Sequence, residues 1–467
     1  MDADIRLNAD TANALATNLA KLVEAARFRV SDTENDPLVA RITDHLDRPL
    51  LNLPSVTETF GAWQHVNIQR GLDAYLAAHS PDAEWFGIAG AGRNHQDLVD
   101  MLTDAALRGN FHLGAVDYRT VATGPDSATE AVQVGLVNSV APDGKPIVVG
   151  VRGPNEFRPP QTTLHVIAAE KATATAARDE ITRLMKEHNA FRGALLQFDV
   201  SENRGNELLS YLHRPRLAPE DVILPEGTLE TIEKHVVRGS ERNAALIANG
   251  QHLKRGVLLY GPPGTGKTHT VRYLMSRLTE ATVVVLSGRA MRFLAEASAV
   301  VRGLQPAVLV IEDVDLIAED RSMRPGSGPL LFELLNRIDG VDADADVTFI
   351  LTTNRVEVLE KALVERPGRV DLALEIPKPG PAERERLLRL YARTVDLDLP
   401  DPSELIAELD GVTASFVREL VRRAVLRELD ANPDGQRVRL DTDTLRDTLR
   451  ELTGERQELT GRILGGR

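Results

Sequence analysis

The sequence predicts an α/β chain: a parallel sheet with helices on both faces, then a small α-helical lid, with a mixed α/β domain before both. Three observations carry this expectation. Short apolar runs at 256–260, 282–286, 307–311, 347–351 and 372–376 are mostly separated by helical stretches. Continuous apolar runs alternating with helices read as a parallel sheet buried on both faces. From Pro381 onward only helical patterns remain, which predicts the lid. Before residue 210 strand-like and helix-like patterns mix without that regular order.

The elements are justified in chain order. Residues 7–28 are rich in Ala and Leu, and Leu15, Leu19 and Leu22 fall at helical spacing. Val132, Val134, Leu136 and Val140 mostly alternate with other residues, as on a strand face. Ala141-Pro142-Asp143-Gly144 reads as a turn, with the returning strand at 147–151. A loop is expected at 153–160, a strand at 164–168, a helix at 169–187 and a further strand at 195–200. Pro215, Pro219 and Pro225 fall in 213–226, a stretch without apolar periodicity. Proline removes backbone donors and restricts its predecessor, so this stretch predicts a linker or an irregular docking segment. The expected divisions are a mixed α/β domain at 1–212, a linker at 213–226, a large α/β subdomain at 227–378 and a lid at 379–467.

Composition narrows the classes. The chain has 467 residues, enough for two or three domains at roughly 150 residues each. Its net charge of -14 gives no strong signal for nucleic acid, because nonspecific binding relies on Lys and Arg neutralising phosphates. There are no cysteines, so disulfides, thiolate metal sites and cysteine nucleophiles are excluded together. No apolar run approaches the roughly 18 residues of a membrane span. Met1-Asp2-Ala3-Asp4 does not read as a signal peptide, and a cytoplasmic location is expected.

Gly261-Pro262-Pro263-Gly264-Thr265-Gly266-Lys267-Thr268 fits GxxxxGK[ST], the P-loop pattern, between an apolar run and a helical stretch. Glycines let the backbone curl so that its amides point at phosphate oxygens. The following helix turns its positive end to the same anion. Lys267 is expected at the outer phosphates of ATP, Thr268 at Mg²⁺, and His269 beside them on the first helical turn. The bland alternative is a glycine-rich turn with an incidental lysine.

Val308-Leu309-Val310-Ile311-Glu312-Asp313 is an apolar run ending in two carboxylates. In P-loop enzymes an acid here serves the magnesium shell, and the next can polarise the attacking water. The usual order is Asp then Glu; here Glu312 precedes Asp313. The longer Glu312 is then expected at magnesium and the shorter Asp313 at the water, in a working but slower site, with a binding-only site as the alternative.

On these motifs the stretch from about Asp221 to Asp430 resembles the AAA family of ATPases. Thr352-Thr353-Asn354-Arg355 is similar to the family's sensor-1 strand end, which implies that Asn354 orients the lytic water. Ala362-Leu363-Val364-Glu365-Arg366-Pro367-Gly368-Arg369-Val370-Asp371 resembles the arginine-finger segment. By that resemblance Arg366 and Arg369 reach a neighbouring subunit's γ-phosphate, the active unit is an oligomer, and the usual ring has six subunits. A guanidinium suits this role because it stays charged and can fork two oxygens. Asp339-Gly340 and Ile376-Pro377 match structural pairs of the family. Gly411-Val412-Thr413-Ala414-Ser415-Phe416 resembles the lid segment near the adenine, with Ala414 in place of a glycine, and Asp221 to Ile223 falls where the family's adenine-side segment lies. The 287–306 segment is shorter than in unfoldase members, and Phe293 is its only aromatic, a pore residue or a core residue.

The N-terminal half offers less chemistry. Gly87-Ile88-Ala89-Gly90-Ala91-Gly92-Arg93 lacks full GxGxxG spacing and reads as a loop before a helix. His45, His65, His79 and His95 lack metal-ligand spacing, and Trp63 and Trp85 are core or surface anchors. By analogy with the family, residues 1–212 hold a protein substrate or adaptor. The leading reading is an ATP-driven remodeller of a protein or protein complex. A nucleotide-gated scaffold with little turnover and a nucleic-acid-stimulated motor are the alternatives.

Overall fold

The computed structural model describes residues 36–155, 161–199, 209–315, 345–355, 370–431 and 438–463, with Asn18, Lys21 and Glu357. The helix expected at 7–28, the Asp339-Gly340 pair, and Arg366 and Arg369 lie outside the described residues, apart from Asn18 and Lys21, which are helical. The chain divides into two compact units, Met1–Phe191 with Asp199–Tyr211, and Arg192–Phe198 with Leu212–Arg467.

The first unit is built on an antiparallel sheet. In chain order its described elements are α1 (Pro37–Leu46), β1 (Ser55–Gly61), α2 (His65–His79), β2 (Trp85–Gly90), α3 (Leu98–Arg108), β3 (Phe111–Gly114), β4 (Asp117–Ala122), β5 (Ala128–Val140), β6 (Pro146–Arg152), β7 (Gln161–Ala168), α4 (Lys171–Glu187) and the short β9 (Leu209–Tyr211). The strand order is β1-β7-β6-β5-β2-β3, with β4 on the open part of β5. Both faces are covered. Ile147 and Val149 join a core with Leu72 and Tyr75 of α2 and Ile181 of α4. Val148, between them, joins Leu38 and Ile42 of α1 and Met101 of α3. Successive side chains of a strand point to opposite faces, so β6 is apolar on both and reads as a continuous run. The expected turn closes β5 onto β6: the Ala141 N–H donates to the Lys145 carbonyl at 2.8 Å, and Gly144 sits at φ 81°. That conformation favours glycine. The strand expected at 164–168 and the helix at 169–187 are β7 and α4.

The second unit holds a parallel sheet of β8 (Leu195–Phe198), β10 (Arg255–Tyr260), β11 (Thr282–Leu286), β12 (Ala307–Ile311), β13 (Val347–Thr353) and β14 (Leu372–Glu375). Their order is β14-β10-β13-β12-β11-β8. Helices α5 (Thr228–Glu241), α6 (Asn243–Ala248), α7 (Lys267–Arg277) and α8 (Leu294–Gly303) accompany it. The fold class is therefore the expected P-loop parallel sheet, after a mixed α/β region. One strand is placed differently from expectation. The run at 195–200 pairs parallel with β11, Leu196 opposite Val284, instead of completing the N-terminal region. A four-residue apolar strand carries no mark of which sheet it will join.

Residues 213–226 dock without regular structure beyond a single turn at Pro219–Asp221. Val222 and Leu224 are buried in the sheet's core. Arg214 donates to the carbonyls of Gly193 (2.8 Å), Met275 (2.9 Å) and Ala281 (2.7 Å). The lid contains α9 (Pro381–Tyr391), α10 (Ser403–Glu408), α11 (Ala414–Ala431) and α12 (Thr442–Ile463), closed around Leu388, Leu405, Leu420 and Leu445. It is not wholly helical. β15 (Asp396–Asp398) and β16 (Arg439–Asp441) form a two-stranded parallel ribbon. Three-residue strands are too short to leave a period in the sequence.

Candidate functional site

The site is assembled by strand register. Tyr260, the last residue of β10, lies opposite Thr353, the last of β13, and Ile311 of β12 lies opposite Leu351. The three chains therefore leave the sheet side by side at its carboxyl end, bringing Gly261, Glu312, Asp313 and Asn354 together. This end of a parallel sheet is where α/β folds hold ligands.

The P-loop curls as its composition requires. Gly261, Gly264 and Gly266 have φ of 141°, 78° and 114°. A Cβ on Gly261 would lie 2.3 Å from the Ile376 carbonyl oxygen, so close packing demands glycine there. The Ile376 N–H in turn donates to the Tyr260 carbonyl at 2.7 Å, in keeping with a structural role for Ile376-Pro377. Thr265 donates its hydroxyl to the Pro262 carbonyl at 2.9 Å, and α7 starts at Lys267 directly after Gly266. Pro263 stands at the exposed crest of the loop.

Lys267 is 6% exposed. Its Nζ donates to the carbonyls of Gly261 (2.8 Å) and Pro262 (2.9 Å) and to Asn354 Oδ1 (2.8 Å). Burial lowers its pKa from the ordinary lysine value, and the nearby Asp313 and Asp315 charges act the other way. The amine thus sits among oxygens it can exchange for those of a phosphate.

The two acids diverge. Glu312 lies near Thr268. Burial raises the Glu312 pKa; the Thr268 side chain lowers it, Asp313 raises it further and Arg272 opposes. Asp313 has φ 52°, a left-handed conformation uncommon outside glycine. Its N–H donates to Thr352 Oγ1 at 3.0 Å, and Asn354 Nδ2 donates to its Oδ1 at 3.1 Å. Glu312 thus accompanies the P-loop threonine, while Asp313 accompanies Asn354 and, through it, Lys267.

Asp315 was not singled out by the sequence. It is 7% exposed and accepts from Thr353 Oγ1 at 2.9 Å and from the Asn354 N–H at 3.3 Å. Its carboxylate holds the end of β13 and so places Asn354. The available signal was a third acid two residues past the carboxylate pair.

The remaining assignments separate. His269 is exposed, and its Nε2 donates to the Asp221 carbonyl at 2.9 Å, tying the Asp221 to Ile223 segment to α7. The Asp221 carboxylate accepts from the Ala218 N–H at 2.9 Å and from Arg393 at 2.6 Å, and these bonds hold its pKa below the ordinary carboxylate range. Ser415 donates both its N–H (3.1 Å) and its hydroxyl (3.2 Å) to the Gly264 carbonyl, so the lid segment rests on the P-loop itself. Phe293 is half-buried, its ring stacked on Phe198 with centroids 5.7 Å apart. That stacking is the contact the core alternative calls for. Among the described residues no three His, Cys, Asp or Glu gather as a metal cluster. The oxygens of Thr268 and Glu312 fit a hard divalent cation that takes its other ligands from phosphate and water.

In the first unit, Gly87 to Gly90 are part of β2. A Cβ on Gly87 would lie 1.8 Å from the Ala115 carbonyl oxygen, so this glycine serves backbone packing. His45 bonds the carbonyls of Ser139 and Ile147, and His79 lies against the Tyr75 ring. Trp85 packs on the sheet core; Trp63 packs on Phe191. No helix among the described residues is long and apolar enough to cross a membrane.

Comparison with known proteins agrees with this geometry. The family model "ATPase family associated with various cellular activities (AAA)" matches residues 257–378. Proteasome-activating nucleotidase 1 of Halobacterium salinarum is 34% identical over 263 residues, 52% of this chain and 60% of the relative. The 26S proteasome regulatory subunit 10B of Dictyostelium discoideum is 36% identical over 202 residues, 40% of this chain and 51% of the relative. The 26S proteasome regulatory subunit 8 homolog of Saccharomyces cerevisiae is 30% identical over 243 residues, 48% of this chain and 60% of the relative. The chain thus spans between half and three-fifths of the length of these curated relatives.

Proposed function

We propose, from the premise that this chain belongs to the AAA family of ATPases through residues 257–378, that it binds ATP with Mg²⁺ and hydrolyses the nucleotide to ADP and phosphate. The observation that carries the proposal is the bonded series Lys267–Asn354–Asp313 beside the Thr268–Glu312 pair, all at one end of one sheet.

The roles are assigned from position where the residues are described and from family resemblance for the arginines. Loop amides and the start of α7 receive the phosphates of ATP, and Lys267 gives up its carbonyl partners for their oxygens. Thr268 and Glu312 hold magnesium, which when bound neutralises charge on the phosphate oxygens. Asp313 accepts a proton from the attacking water, and Asn354 fixes the carboxylate that does so. Water oxygen bonds to the γ-phosphorus as the bond to the ADP oxygen breaks. Asp313 is one methylene shorter than a glutamate, about 1.5 Å of reach, which favours slower turnover. Arg366 and Arg369 act on a neighbouring subunit's site, and the working form is an oligomeric ring, six subunits by family resemblance.

The cycle drives remodelling of a protein or protein complex held by residues 1–212, in the cytoplasm. Support comes from the relatives, whose names are proteasome-activating and proteasome-regulatory. Steady-state phosphate release by the wild type and by Asp313→Ala tests the chemistry. The variant is expected to lose roughly 10²–10⁴-fold in turnover while still binding ATP. A wild-type rate near zero, unchanged by the substitution, would replace hydrolysis with the nucleotide-gated scaffold.

A further inference from the structure

We propose that the first unit carries a recognition pocket for the C-terminal residue of a polypeptide, taking its apolar side chain and its free carboxylate. This rests on the recruiting role given above to residues 1–212 and supplies the chemistry of what is recruited.

A cavity of about 230 Å³ opens between α2 and β4, within the first unit. One wall is a row of aromatic rings: Trp63 and Phe191 have centroids 6.0 Å apart, and Phe191 and Tyr211 5.9 Å. Such a row buries an apolar group well, because rings are rigid and offer large faces. The volume suits one large side chain and is too small for a folded element.

Two polar groups face the same cavity. His65 is 2% exposed, and its Nε2 lies 2.8 Å from the Val132 carbonyl. A carbonyl can only accept, so Nε2 carries the proton. Burial, opposed by the Val132 bond and reinforced by the Arg119 charge, holds the His65 pKa below the ordinary histidine value. The ring is therefore neutral, and Nδ1 is an acceptor. Among the described residues Nδ1 has no partner, although it is buried. An orphaned buried acceptor is costly, and this one is closed off within the wall, so His65 lines the cavity as a neutral ring. Arg119 is the second group. It makes one long contact, 3.4 Å to the Pro154 carbonyl, and among the described residues no carboxylate pairs with it. The pocket thus presents an apolar wall and a cation that, among the described residues, has no carboxylate partner. An apolar side chain and a carboxylate meet those two, and a polypeptide's last residue carries both on one Cα.

Three probes are titrated calorimetrically into the full chain without nucleotide: N-acetyl-Ala-Ala-Phe as the free acid, the same peptide as its C-terminal amide, and free phenylalanine. Trp63, which lines the cavity while Trp85 does not, reports occupancy by fluorescence. The acid is expected to bind and to change Trp63 emission. The amide, lacking the charge-assisted bond, is expected to bind roughly ten- to a hundred-fold more weakly. Arg119→Gln is expected to bring the acid down to the amide's affinity without shifting the unfolding midpoint. Equal binding of acid and amide overturns the proposal, as does an absence of binding by every probe. Free phenylalanine binding as tightly as the peptide overturns the polypeptide source. Turnover stimulated by an unfolded protein, with no probe bound, rejects the pocket alone; probe binding without any such stimulation rejects the recruiting role.

Discussion

The inverted acid pair is resolved one residue at a time. Glu312 goes with Thr268, and Asp313, turned by its left-handed backbone, goes with Asn354. This division has a consequence in pH. Burial raises the Glu312 pKa, so on acidification this group takes up its proton at a higher pH than a free glutamate. In the proposed role, the proton and magnesium compete for the same carboxylate. Apparent Mg²⁺ affinity, titrated at fixed ATP, is therefore expected to weaken as pH falls from 8 through the region above the ordinary value of about 4.3. Glu312→Gln should lower the affinity and flatten that dependence. The same pH dependence in the wild type and in Glu312→Gln would remove Glu312 from the magnesium role.

At the scale of elements, short pieces are placed by their partners. β8 is held by β11 on one side, and the Phe198 ring holds Phe293. Phe293→Ala is expected to cost ~2 kcal/mol in denaturant unfolding, less than the roughly 3–5 kcal/mol of a fully buried Phe. Turnover stimulated by a protein substrate should be retained per folded molecule. Lost stimulation with unchanged stability would restore Phe293 to a pore role. The lid rests on the P-loop through Ser415 and Gly264, so the lid and this loop are mechanically joined even though 151 residues separate those two positions.

For the whole molecule, the proposed unit of activity is larger than one chain. If Arg366 and Arg369 serve a neighbour's site, specific turnover rises steeply with protein concentration. Arg366→Ala and Arg369→Ala then bind ATP but hydrolyse it roughly 10³-fold or more slowly. Mixing Arg366→Ala with Asp313→Ala chains should restore part of the activity, because each lacks what the other supplies. No gain on mixing, with turnover independent of concentration, would place the arginines outside the reaction.

Residue types and spacing alone supplied the basis of the proposed nucleotide chemistry. Glycines at 261, 264 and 266 encode a phosphate-sized curl, and an apolar run ending in Glu312-Asp313 encodes an acid at a strand end. Those signals are local, so they are legible without a fold. The period of the apolar runs likewise announced the parallel sheet, because each strand is buried on both faces. Tertiary structure alone supplied the backbone that separates the two acids, which side-chain length had already assigned: the φ of Asp313 and the register setting Tyr260 beside Thr353. It also decided that β8 joins the second sheet, that Asp315 holds Asn354, and that His65, Arg119 and Trp63 share a cavity. Each of these joins residues tens to more than a hundred positions apart, or turns on a single backbone angle, and neither leaves a period or a motif in the sequence.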